Sequence, residues 1–67
     1  MPIVEVTLVH GRSPEQLRAM ISAVTTAVFE TVAAPVESIR VIIHEVPTTH
    51  FAAGDVTIAE RRTAQLT

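Results

Sequence analysis

Cysteine is absent from this 67-residue chain, which removes disulfides as a source of stability and thiolates as metal ligands or nucleophiles. Lysine, tryptophan and tyrosine are absent too, and only two phenylalanines and two glycines occur. The apolar 48% is therefore built from Val, Ile, Leu and Ala. No apolar run approaches the roughly 20 residues that cross a bilayer. The start of the chain also lacks the basic stretch and apolar core of a secretion signal. A soluble cytoplasmic protein with no membrane partner is the expectation. The three histidines, His10, His44 and His50, are far apart and show no zinc-site spacing.

The basic residues are all arginine (Arg12, Arg18, Arg40, Arg61 and Arg62), and the formal net charge is −2. Net acidity without a basic stripe argues against a nucleic-acid partner. An all-arginine set reflects either composition bias or a need to grip planar anions such as carboxylates in a bidentate manner. A single domain over 1–67 buries only about 60% of the surface its unfolded chain exposes. Domains of this size are usually stabilised by a disulfide, a metal or a partner subunit. With the first two unsupported, self-association is expected.

Ile3 to Val9 reads as a β-branched strand, and His10-Gly11-Arg12 as the turn out of it. Ser13-Pro14-Glu15-Gln16 is a helix start: an N-cap serine, a proline whose missing N–H costs nothing there, and a glutamine that closes a capping box. Leu17, Met20, Ile21, Val24, Ala27, Val28 and Val32 then step by three and four along one helical face. Pro35 disfavours helical dihedrals in the residue before it, so the helix should run from Pro14 to Ala33, about 30 Å. Ile39 to Val46 reads as a second strand. One face carries Ile39, Val41, Ile43 and Glu45; the other carries Arg40, Ile42, His44 and Val46. Strand, long helix and strand with short connections predict a parallel βαβ unit. Beyond Val46, Gly54-Asp55 suggests a turn between extended pieces at Phe51 and Val56–Ile58. No structure is assigned to the polar tail from Glu60.

One helix covers one face of a two-stranded sheet. The other face and both sheet edges then remain open, and an isolated strand pair is marginal in water. Edge pairing between subunits, followed by face packing of the widened sheets, resolves both problems.

Chemistry has few places to reside. Pro2 directly follows the initiator methionine, which is normally trimmed before a small residue, and trimming would expose a secondary amine. An α-amino group has a pKa of about 7.7–8.0, and desolvation or nearby cations bring it toward neutrality, where a base is effective. The alternative is that Pro2 merely starts an edge strand. With Met1 retained, the nitrogen is an amide without basicity. Arg12 lies near a helix N-terminus, where the dipole disfavours it. Arg40 interrupts an apolar strand, either to bind an anion or to form an intersubunit ion pair with Glu5 or Glu45. Phe51, in a loop, is a pocket wall or an oligomer contact, whereas Phe29 is expected in the subunit interface. His44 and His50 have no evident partner and are assigned structural roles.

Taken in order, Met-Pro-Ile-Val, His10-Gly11-Arg12-Ser13-Pro14-Glu15-Gln16, Ala34-Pro35-Val36-Glu37-Ser38-Ile39-Arg40-Val41-Ile42-Ile43 and His50-Phe51 resemble the 4-oxalocrotonate tautomerase family, the short-chain branch of the tautomerase superfamily. The resemblance extends from Pro2 to about Gly54. It implies an α+β fold, a single tautomerase-like domain of one βαβ unit plus a C-terminal hairpin. It also implies a homo-oligomer, a hexamer built as a trimer of dimers. The implied activity is a cofactor-independent isomerisation that moves a proton between carbons of a small 2-hydroxy or 2-oxo (di)carboxylic acid such as 2-hydroxymuconate.

Residue by residue, the resemblance implies that Pro2 is the catalytic base. Arg12 binds the distal carboxylate and draws electron density along the conjugated system. Arg40, from a different subunit, holds the 2-oxo or 2-hydroxy group and its carboxylate. Phe51 keeps the amine in an apolar setting, and Val9 offers a main-chain N–H. Ala52-Ala53 stand where the family is often richer in glycine. No carboxylate neighbours Phe51, which weighs against the hydrolytic dehalogenase branch. Two other readings remain at this stage: a decarboxylase or hydratase using the same proline in its protonated form, and a catalytically silent assembly subunit or small-acid binding module.

Overall fold

The structure, a computed structural model, describes residues 1–66. Strand β1 (Ile3–Val9), helix α1 (Pro14–Val32) and strand β2 (Arg40–Val46) come first, and a short 3-10 turn at Val36–Ser38 precedes β2. A second such turn at Thr48–His50 leads to strands β3 (Ala52–Ala53) and β4 (Val56–Thr57) and to helix α2 (Ile58–Leu66). β1 and β2 pair in parallel, in register from Ile3 opposite Arg40 to Val9 opposite Val46. This is the expected βαβ unit, and the antiparallel β3–β4 pair is the expected C-terminal hairpin.

α1 starts as its sequence dictates. Ser13 Oγ accepts the Gln16 main-chain N–H at 3.1 Å, and Gln16 Oε1 accepts the Ser13 N–H at 2.9 Å. The helix ends at Val32, one residue before the expected Ala33. Pro35 already excludes helical dihedrals next to it, and Ala33 adopts the left-handed conformation (φ 57°) while its N–H still reaches the Phe29 carbonyl at 3.1 Å. β2 likewise begins at Arg40 rather than Ile39. The Ile39 N–H closes the preceding turn onto the Val36 carbonyl at 3.1 Å, and the ladder with β1 opens only at the Ile3 pair. Gly54 and Asp55 both have positive φ (59° and 66°), the geometry that two-residue hairpins require.

Leu17, Met20, Ile21, Val24 and Val28 of α1 are half-buried, as are Val4, Val6, Leu8, Val41 and Ile43 on the sheet face beneath it. Ala27 and Val32, expected on the same helical face, are exposed in the single chain, as is Phe29. The other sheet face carries Ile3 (61% exposed) and Ile42 (39%) with Glu5, Thr7, Arg40 and His44. Among the described residues none is fully buried.

The radius of gyration is 15.5 Å, against about 11 Å for a compact chain of this length. The excess comes from the hairpin and α2, which pack on the Thr48–His50 turn and project from the βαβ unit instead of covering it. Among the described residues no helix is long and apolar enough to cross a membrane.

Candidate active site

Pro2 is half-exposed immediately before β1. Its carbonyl accepts the Arg40 main-chain N–H at 3.0 Å, so it is fixed at the entry of the parallel ladder. Met1 ahead of it is 78% exposed. The Arg40 side chain is exposed and spends one donor, Nη1, on the Ser38 carbonyl at 3.0 Å. The remaining guanidinium donors suit a carboxylate.

Within one chain Arg40 pairs with neither glutamate; the ion pair offered as one reading of it is between subunits and lies outside a single chain. Glu45 lies on the helix-facing side of the strand by the alternation of the pleat. Glu5 shares the open face with Arg40, but its carboxylate lies 3.9 Å from His44 Nε2. That contact also corrects the expectation that His44 lacks a partner. His50 has one as well: Nδ1 is 3.2 Å from Thr49 Oγ1.

Val9 and Arg12 occupy the opposite end of the sheet. The His10 N–H donates to the Val46 carbonyl at 2.9 Å, which extends the ladder by one bond. Gly11 then takes φ 129°, a conformation L side chains rarely adopt. This reversal lets Arg12 Nη1 reach back to the Val9 carbonyl at 2.9 Å, with the rest of the guanidinium exposed. Phe51 is half-buried and extended, five residues beyond Val46, and its carbonyl accepts the Ile58 N–H at 2.9 Å.

One chain therefore presents two half-sites. Pro2 and Arg40 lie at the entry of the strands; Val9 and Arg12 lie at the exit, from which the arm carrying Phe51 projects. Seven residue steps separate Pro2 from Val9, about 23 Å of extended strand, far longer than a small dicarboxylic acid. A hollow of about 390 Å³ on α2, wide open, is lined by Ala59, Glu60, Thr63 and Ala64 and by no candidate residue. Among the described residues no three His, Asp or Glu side chains are grouped as a metal site.

The end of the chain departs from the sequence reading. Ile58, expected in an extended piece, starts α2, and the unassigned tail is helical through Leu66. The signal was present as Thr57-x-x-Glu60, a second capping box. Glu60 Oε1 accepts the Thr57 N–H at 2.8 Å, and Thr57 Oγ1 accepts the Glu60 N–H at 3.0 Å. Hydrogen bonding from Thr57, its main-chain N–H first and its side chain second, holds the Glu60 carboxyl below the usual glutamate range.

Comparison with known proteins identifies the family. Residues 2–61 match the family model described as tautomerase enzyme. A probable tautomerase of Ralstonia nicotianae is 46% identical over 56 residues, covering 84% of this chain and 80% of the relative. A 2-hydroxymuconate tautomerase of Stutzerimonas stutzeri is 43% identical over 54 residues, covering 81% and 86%. Among solved structures, TomN, a 4-oxalocrotonate tautomerase homologue in the tomaymycin biosynthetic pathway, superposes with a TM-score of 0.90 at 44% identity, covering 92% of this chain and 95% of that one. A heterohexamer 4-oxalocrotonate tautomerase from Chloroflexus aurantiacus gives 0.86 at 35% identity, covering 90% and 97%. By sequence and by fold, the chain belongs to the tautomerase enzymes, in the 4-oxalocrotonate tautomerase family.

Proposed function

We propose that this chain is the protomer of a cofactor-independent isomerase. It moves a proton along the conjugated system of a small 2-hydroxy or 2-oxo dicarboxylic acid, of which 2-hydroxymuconate is the model. The observation that carries the proposal is the position of Pro2, held on the first rung of the ladder through Arg40, with Arg12 and Val9 tied together at the opposite end. The 43% identity to a 2-hydroxymuconate tautomerase supports the choice of substrate class.

After removal of the exposed Met1, Pro2 carries a free secondary amine. An apolar wall and nearby guanidinium groups both disfavour its protonated form and lower its pKa, leaving a base at neutral pH. That amine accepts a proton at one position of the enol or dienol and returns it to carbon at another, so the reaction is balanced without a co-reactant. Arg40 holds the oxygen at C2 and the adjacent carboxylate. Arg12 binds the far carboxylate and stabilises the negative charge that spreads toward it. The Val9 N–H adds a neutral donor, and Phe51 excludes water from the amine.

The two half-sites of one chain are too far apart to serve one substrate, so each working site is composite. Antiparallel pairing of two sheets brings the entry end of one protomer to the exit end of its partner, and it also covers the exposed edges. A homohexamer formed as three such dimers is the proposed assembly; the Chloroflexus heterohexamer supports the count of six chains.

The test is ketonisation of 2-hydroxymuconate, followed by absorbance, on protein whose trimmed N-terminus has been verified by intact mass. Pro2→Ala and Arg40→Ala should each reduce kcat/KM by at least about 100-fold. The rate should rise with pH through the amine pKa. Full activity in both variants, or a rate that falls through that pKa, would defeat the proposal.

A further inference from the structure

α2 belongs to no functional role discussed so far, yet its contacts fall on Phe51 and on the residues that flank it. The Phe51 carbonyl accepts the N–H of Ile58, the first residue of α2, at 2.9 Å. α2 follows β4 without an intervening loop, because Thr57 is both the last residue of the strand and the cap of the helix. Glu60 closes that cap from inside α2 through the Thr57 N–H at 2.8 Å. One residue on, Arg61 Nη2 donates to the Ala53 carbonyl at 3.1 Å, bridging eight residues back to the strand that follows Phe51. The helix also packs on the Thr48–His50 turn that precedes Phe51. The hairpin itself has only two residues per strand, too little pairing to hold a fixed orientation unaided.

We propose that α2 is a splint that sets the Phe51 ring in the composite site, with Arg61 and Glu60 as its positioning residues. This rests on the reading above in which Phe51 walls off the Pro2 amine. Loosening the splint lets the hairpin swing, admits water beside the amine and restores the hydration that favours its protonated form. Neither Arg61 nor Glu60 touches substrate; both act through the placement of the ring. A role confined to holding the protein folded would leave the titration of the amine unchanged, and this role does not.

The experiment compares pH profiles of kcat/KM, which report the free enzyme's base, for trimmed protein collected at the wild-type oligomer size. Arg61→Ala and Glu60→Ala should each reduce kcat/KM by roughly tenfold or more, as expected when a positioned group is displaced rather than removed. Both should raise the apparent pKa of the base, in the same direction as Phe51→Ala. Arg61→Lys keeps a donor for the Ala53 carbonyl and Glu60→Gln keeps the cap, so both should remain near wild type. The double variant Phe51→Ala/Arg61→Ala should be no worse than Phe51→Ala alone, since the two act as one unit. If Phe51→Ala shifts the profile while Arg61→Ala and Glu60→Ala do not, the splint is refuted and the wall stands. If Phe51→Ala itself leaves the profile unchanged, the wall is refuted and the splint falls with it. Losses that multiply in the double variant would also overturn the proposal.

Discussion

Mixing Pro2→Ala chains with Arg12→Ala chains in one assembly distinguishes a composite site from a site within one chain. Each variant alone should be nearly inactive, because on the proposed mechanism one loses the secondary amine and the other the distal carboxylate clamp. The extended strand from Pro2 to Val9 spans about 23 Å, and Arg12 is tied to the Val9 carbonyl at 2.9 Å. A substrate touching both groups must therefore take them from different protomers. In a mixed oligomer, a working site arises wherever an Arg12→Ala chain supplies Pro2 and a Pro2→Ala chain supplies Arg12. In a symmetric assembly each protomer offers both half-sites once, so random mixing at equal amounts should restore about one quarter of the wild-type activity per chain. Arg40 is intact in both variants, so the identity of its donor does not alter the expectation. The two chains, distinguished by mass, are co-unfolded and refolded together, and specific activity is read against the same mixture assembled separately. Activity equal to the average of the two parents would refute the composite site. It would mean that Pro2 and Arg12 of one chain meet, which the strand geometry forbids.

Ala33→Gly should raise stability by roughly 0.5–1 kcal/mol in denaturant unfolding, because glycine removes the left-handed strain at φ 57° while gaining some freedom in the unfolded chain. Ile42→Lys, on the open sheet face, should yield a smaller species by light scattering, since an assembly covering that face would have to bury an unpaired cation; an unchanged mass would place the interface elsewhere. Glu60 contributes stability that is present above its unfolded pKa and lost as pH falls through its lowered folded pKa. Its titration, followed by the Thr57 and Glu60 amide resonances, should therefore have a midpoint below that of an unperturbed glutamate.

The local chemistry of the chain was legible without coordinates wherever a short-range rule acts alone. Ser13-Pro14-x-Gln16 specifies a capped helix start, and Gly54-Asp55 a tight hairpin. The alternation in Arg40–Val46 assigns Ile42 and His44 to one face and Val41 and Ile43 to the other. The same rules would have extended to the tail, because Thr57-x-x-Glu60 is the motif of Ser13-x-x-Gln16 written once more. It was obscured by a polar segment with no apolar periodicity to draw attention to it. The family was legible as well, in the motifs that run in order from Pro2 to about Gly54, and residues 2–61 match its model.

Pairing and distance were decided only in three dimensions. Glu5 stands opposite Ile42, with Arg40 and His44 two residues to either side on the same face; its side chain takes His44, and Arg40 turns to the Ser38 carbonyl. That Pro2 and Arg12 stand at opposite ends of one strand follows from its extended rise, but its meaning emerges only with the fold around it. Among the described residues nothing is fully buried, and the arm bearing Phe51 projects from the βαβ unit. A sequence states which side chains a protomer possesses. Which of them face one another is set by long-range backbone hydrogen bonding and by the apolar surface that one helix is too narrow to cover.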